Sequence, residues 1–280
     1  MKNIVLPTDF SDNSWNAIFT AVKLYADVEC QFYILHAYEP KALHKLGKKG
    51  QQRLGVLYES LAQYSEQELE KVMTYLAKHL KNPLHHFESV SKSDTLEEAI
   101  NKIISEKDID LICMGTQGAS GAKQVFMGSN TVKVLKQIDD CPILAVPAEY
   151  DFKSLKSLIF PTDFMKKYEK HQLLPLTELA TLWKTNIEVV HVAVEFALND
   201  QQLINQKLLK ERLHDLNVTF VNIDFEDNVA HSLEKFITNT RLDLIALIRY
   251  RHSLWEKIIG EPVVKKLTFH TKMPLLVLPE

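Results

Sequence analysis

Ile4-Val-Leu-Pro-Thr-Asp-Phe10 opens the chain and returns near its middle as Leu158-Ile-Phe-Pro-Thr-Asp-Phe164. Each copy is a short apolar run that gives way to a proline and a polar pair, as a buried strand does where it leaves a sheet. Further pairs keep the same order: Leu35-His36-Ala37 with Val190-His191-Val192, Asp110-Leu111-Ile112 with Asp243-Leu244-Ile245, and Pro142-Ile143-Leu144 with Pro274-Leu275-Leu276. A duplicated unit accounts for all of them. A chain of 280 residues with 46% hydrophobic residues can build two cores of roughly 100 to 150 residues each. The second copy begins just after Glu149 to Ser154, so the expected domains are residues 1–150 and 154–280.

Within each copy, short apolar runs alternate with amphipathic stretches, the βα pattern of a parallel sheet covered on both faces. In the first copy the strands are expected at about Asn3–Leu6, Phe32–Ala37, Leu84–Val90, Asp110–Met114 and Pro142–Val146. The first helix carries Trp15, Ile18, Phe19, Val22 and Ala26 at helical spacing, with Ser11, Asp12 or Ser14 as its cap. Asp94-Thr95-Leu96-Glu97 starts another helix with a capping-box-like signal. The polar stretch from Lys41 to Lys81, with Leu54, Leu57, Leu61, Tyr64, Leu69 and Val72, reads as a loop followed by an extended helix.

The bulk numbers narrow the function. A formal charge of -3, from 33 basic and 36 acidic residues, provides no basic field to steer nucleic acid or an anionic membrane. No apolar stretch reaches the roughly 18 to 20 residues of a membrane span, and no signal peptide precedes the first strand. Cys30, Cys113 and Cys141 form neither an even set nor a CxxC, which fits small apolar residues in a reducing cytoplasm.

Four of the chain's eight glycines, Gly115, Gly118, Gly121 and Gly128, fall between Met114 and Thr131. Gly115 sits at the expected carboxyl end of the fourth strand and Gly128 at the start of a helix bearing Val132, Leu135 and Ile138. Ligands of open α/β sheets lie beyond the carboxyl strand ends, and a helix N-terminus there offers unpaired N–H groups to a phosphate. Glycines let the main chain come close, and Ser129 and Thr131 add hydroxyls. The string is neither a GxxxxGK[ST] loop nor a GxGxxG fingerprint. It points to a nucleotide.

With these residues in view, the chain resembles a tandem universal stress protein. The resemblance rests on Ile4 to Ser11, Leu35-His36-Ala37, and Gly115-Thr-Gln-Gly118 through Gly128-Ser129-Asn130. It implies two flavodoxin-like, adenine nucleotide alpha hydrolase-like domains, each a five-stranded parallel sheet of order 3-2-1-4-5, pairing through the fifth strand. It also implies ATP, or else ADP or AMP, with magnesium or manganese riding on the phosphates. The residues carried over are Pro7, Thr8, Asp9 and the main chain near Ala37 toward adenine and sugar. Met114, Gly115, Gly118 and Gly128 would wrap the phosphates, and Ser129, Asn130 and Thr131 would bind their oxygens. No metal ligands are assigned in the protein itself. A cytoplasmic protein of stress or regulatory function that forms dimers or larger homo-oligomers is the expectation.

Several residues carry plainer readings as well. Asp9 between a strand and a helix can be a cap as readily as a ligand contact. His36 and His191 recur at one place in both copies and read as hydrogen-bonded strand-end residues. His85 and His86 face opposite sides of a strand and make no metal pair. The second copy has lost its loop: Ile248 stands for Gly115, Arg249 for Thr116 and Arg251 for Gly118, while Glu261 and Pro262 follow Gly260. Bulk, a carboxylate and a missing amide all work against phosphate there. The Arg249-Tyr250-Arg251-His252 cluster leaves room for some other anion. Expected function is therefore nucleotide binding in the first copy alone, with a slow ATPase or a nucleotide-independent scaffold as the alternatives. Nothing resembles the carboxylates, base and arginine of phosphoryl transfer, and Lys123 in the loop is the one cation near it.

Overall fold

The computed structural model describes residues 1–39, 48–117, 127–249 and 273–280, the side chains of 48–56 and 58 apart. The described residues divide into two compact units, the first running to Cys141 without Met127, the second holding Met127 and Pro142–Glu280.

The first unit runs β1 (Lys2–Pro7), α1 (Asp12–Leu24), β2 (Cys30–Ala37), α2 (Lys48–His79), β3 (His85–Lys92), α3 (Leu96–Lys107), β4 (Leu111–Gly115) and α4 (Ser129–Gln137). Its strands lie in the order β3-β2-β1-β4, and every pairing is parallel. Because a parallel sheet hides both faces, β1, β2 and β4 are largely apolar, with Ile4, Val5, Leu6, Ile34, Leu35 and Ile112 fully buried, while β3 carries His86, Glu88 and Ser89 exposed. Helix ends follow the expected chemistry. Ser11 caps α1 by accepting from Ser14 N, and Thr95 with Glu98 completes a reciprocal capping box on α3. The extended helix of the polar stretch is α2, which buries Leu69, Val72 and Leu76 but leaves Leu57 and Tyr64 exposed.

The second unit holds β5 (Ile143–Val146), β6 (Ser157–Pro161), α5 (Lys170–Trp183), β7 (Asn186–Ala193), α6 (Asp200–Arg212), β8 (Val218–Asp224), α7 (Val229–Asn239), β9 (Leu244–Ile248) and β10 (Leu275–Leu278). The order β8-β7-β6-β9-β10 is the complete 3-2-1-4-5 arrangement, with β5 antiparallel to β10 along its other edge. The last strand expected of the first copy thus groups with the second unit.

The duplication extends to register. Ile4 lies opposite Leu111 in the first unit, and its counterpart Leu158 lies opposite Leu244 in the second. Asp110 Oδ2 accepts from Asn3 N at 2.8 Å, and Asp243 Oδ2 accepts from Ser157 N at 3.1 Å. The Pro-Thr-Asp-Phe turn is likewise built twice. Thr8 Oγ1 accepts from Phe10 N at 2.9 Å and Thr162 Oγ1 from Phe164 N at 3.0 Å. Asp9 Oδ1 takes Ser11 N, and Asp163 Oδ1 takes Met165 N. These bonds hold Phe10 at φ 64° and Phe164 at φ 54°, left-handed values that a phenylalanine adopts only under constraint. The motif is therefore a turn device in both units.

Candidate functional site

In the first unit the carboxyl ends of β1, β2 and β4 and the N-terminus of α4 enclose a cavity of about 340 Å³. That lies within the size range of small-ligand sites. Its lining is Pro7, Thr8, Asp9, Ser14, His36, Ala37, Leu96, Met114, Gly115, Gln117, Gly128, Ser129, Asn130 and Thr131.

One end is built by β4 and α4. Gly128 N donates to Thr116 O at 2.6 Å, so the two described ends of the glycine loop are tied directly together. Thr131, almost wholly buried, donates its hydroxyl to Gly115 O at 2.9 Å and pins the first turn of α4 beneath the strand end. Gly128 occupies the N-cap, and no side chain caps the helix. The first N–H groups of α4 consequently meet the cavity without the side-chain acceptor that Ser11 or Thr95 gives the other helices. Ser129 and Asn130 are exposed there. This end is shaped for an anion.

Gly115 has no space for a side chain. A Cβ at this position would sit 2.7 Å from Asn13 Cγ and Oδ1. Asn13, on the first turn of α1, is only 6% exposed and accepts Gln117 N at 2.7 Å. Thus α1 sets where the glycine loop leaves β4.

The other end is built by β1 and β2. Thr8 Oγ1 and Ser14 Oγ are 2.9 Å apart, which locks the loop after β1 onto α1. Asp9 is exposed and also holds Ser11 Oγ at 2.5 Å, so it supports the cap residue without itself capping the helix. His36 lines the cavity while its Nδ1 hydrogen-bonds Ser65 Oγ of α2 at 2.8 Å. Burial lowers its pKa from the ordinary histidine value, against a smaller opposing pull from the Asp9 carboxylate. The shift favours the neutral imidazole.

Every described residue that the sequence nominated for the nucleotide lines this one cavity. Gly118, Gly121 and Lys123 lie outside the described residues, as do Tyr250, Arg251, His252, Gly260, Glu261 and Pro262. Sequence reasoning missed Ser14, Leu96 and Gln117 as lining residues and Asn13 as the brace behind them. Ser14 read as a candidate cap, Leu96 as the start of a helix and Gln117 as part of the glycine string, while Asn13 carried no signal of its own. Among the described residues no group of three or more His, Cys, Asp or Glu is placed to hold a metal ion.

At the matching strand end of the second unit, larger side chains bond the turn after β6. Tyr168 stands where Ser14 stands, is buried, and brings its hydroxyl to 2.5 Å from Thr162 Oγ1. Gln202 and Asn205 of α6 donate to the main-chain carbonyls of Asp163 and Phe164 at 2.9 and 2.8 Å. Ile248, in the place of Gly115, is buried.

A doubly wound α/β unit with an anion-shaped crevice at its carboxyl strand ends is the class of protein that the fold and cavity define. Residues 1–147 match the model of the universal stress protein family, and the chain belongs to that family. Universal stress protein MJ0531 of Methanocaldococcus jannaschii is 29% identical over 147 residues, covering 52% of this chain and 81% of the relative. Universal stress protein MJ0577 of the same organism is 27% identical over 154 residues, covering 52% of this chain and 94% of the relative. The crystal structure of a universal stress protein from Archaeoglobus fulgidus covers 99% of this chain and 98% of its own, with a TM-score of 0.63 at 15% identity. That likeness shows the fold across both copies. Among the described residues no helix is long and apolar enough to cross a membrane.

Proposed function

We propose that the chain is an adenine-nucleotide-binding regulatory protein that takes ATP in the first unit only. The observation that carries this reading is the N-terminus of α4: a helix start with no side-chain cap, entered through glycine, opening into a cavity of ligand size. Main-chain amides at Ser129 and Asn130, with the Ser129 hydroxyl, would hold the phosphates, and Gly115 and Gly128 would let them come close. The dipole of α4 favours their charge. Asp9, Pro7, Thr8 and the Ala37 main chain would lie along the sugar and base. Among the described lining residues the cavity supplies one carboxylate, Asp9, at the end away from the helix start. A magnesium or manganese ion would therefore be held by the phosphates and water. Among the described residues no base or arginine lines the phosphate end, and the reading is one of binding.

Restriction to the first unit is supported by Tyr168, Gln202 and Asn205, which hydrogen-bond the corresponding turn of the second. Domain limits at 1–150 and 154–280, a cytoplasmic location and self-association belong to the same reading. Calorimetric titration of the full chain with ATP tests it. One site per chain is expected, and Gly128→Glu should abolish it while leaving the circular dichroism and melting curve near those of the wild type. A second site that survives Gly128→Glu would refute restriction to the first unit, and unchanged affinity would refute the pocket itself.

A further inference from the structure

His36 and His191 occupy equivalent strand ends but are held differently. His191 places Nδ1 3.0 Å from Thr162 O and Nε2 3.7 Å from Glu195, so both nitrogens face protein within the second unit. In the first unit the partner has changed. His36 Nδ1 pairs with Ser65 Oγ on α2, and Ser65, fully buried, is also 2.7 Å from Ser91 Oγ on β3. The ring is braced by Phe10 at a centroid distance of 4.5 Å, with Tyr38 and Tyr64 at 6.2 and 6.5 Å. A neutral imidazole has one donor and one acceptor nitrogen. With Nδ1 engaged by Ser65, Nε2 is the nitrogen left for whatever fills the cavity.

Its position says which part of a ligand it meets. β2 and β4 are separated by β1, so their carboxyl ends lie about 10 Å apart, two strand spacings. Phosphates seated on α4 beside β4 leave the nucleoside at the β2 end. We propose that His36 is a specificity-determining residue that hydrogen-bonds the sugar or base through Nε2, held in place by Ser65 of α2. The inference deepens the nucleotide-binding reading and rests on it. Ser65 acts as a positioning residue, which gives the long helix α2 a direct part in ligand choice.

The test compares two probes on the full chain, ATP and inorganic tripolyphosphate, because the latter engages only the phosphate end. Wild type should bind ATP more tightly than tripolyphosphate. His36→Phe, which keeps a ring and removes both nitrogens, should weaken ATP about tenfold and leave tripolyphosphate unchanged. Ser65→Ala should shift ATP in the same direction by about threefold, again sparing tripolyphosphate. If His36→Phe does not fold, His36→Asn must give the same split, since it keeps a partner for Ser65 and lacks Nε2. Equal loss of both probes would mean that His36 is only structural, and unchanged ATP affinity would mean that it touches no ligand; either overturns the proposal while nucleotide binding stands. Wild type that binds neither probe would overturn both readings.

Discussion

Gly115 shows how one missing side chain carries a site. The space beside its Cα is filled by the buried amide of Asn13, whose Oδ1 holds Gln117 N and so fixes the first residues of the loop. A methyl group there must displace a short side chain packed on helix α1. Gly115→Ala is expected to cost about 1 to 3 kcal/mol through overpacking, read as a lower melting temperature, and to weaken ATP binding as well. Asn13→Ala separates the two effects: it makes room for the methyl group, so the double variant should recover stability relative to Gly115→Ala without recovering affinity. Equal melting temperatures for Gly115→Ala and wild type would show that the amide is not the obstacle.

The helices of the first unit differ in how they begin, and the difference assigns their roles. α1 and α3 satisfy their first N–H groups with Ser11 and with the Thr95–Glu98 box. They are finished structural elements. Thr95→Ala should therefore cost about 1 kcal/mol of stability and leave nucleotide affinity unchanged, measured by denaturant unfolding and calorimetry side by side. α4 begins at Gly128 with no such partner, so its first turn has hydrogen-bonding capacity to give to a ligand. Bound nucleotide should raise the melting temperature in proportion to the logarithm of its concentration, an effect that Gly128→Glu removes.

The two copies share strand register and turn chemistry while their strand-end regions have diverged. The first lines a cavity, and in the second Tyr168, Gln202 and Asn205 bond the matching turn. The first core excludes water, and its three cysteines report it. Burial pushes the Cys30 thiol up to about 11 and the Cys141 thiol up to about 12, and raises Cys113 further still. A raised pKa means thiol instead of thiolate at pH 8, so the native protein should release almost no chromophore from a disulfide reagent. All three cysteines should react in guanidinium. Fast reaction of Cys113 in the native protein would contradict the packing of β4 against α1, where its Sγ lies 3.4 Å from Ala17 O.

Much of this was written in the chain. The repeated Pro-Thr-Asp-Phe, the alternation of apolar runs with amphipathic stretches, and the glycines between Met114 and Thr131 determine a duplicated α/β fold and one loop fit for phosphate. Periodicity and backbone freedom are local properties, so residue order alone records them. Tertiary structure decided the rest. Asn13 reads in sequence as one more polar residue at a helix start, and becomes the brace of the loop only because α1 packs on β4. His36 reads as a strand-end histidine, and acquires an outward-facing role only because Ser65, far along the chain on α2, takes its Nδ1. The fifth strand reads as the close of the first copy, yet it also pairs antiparallel with β10. Such contacts join residues distant in sequence, and no local pattern encodes which of them meet.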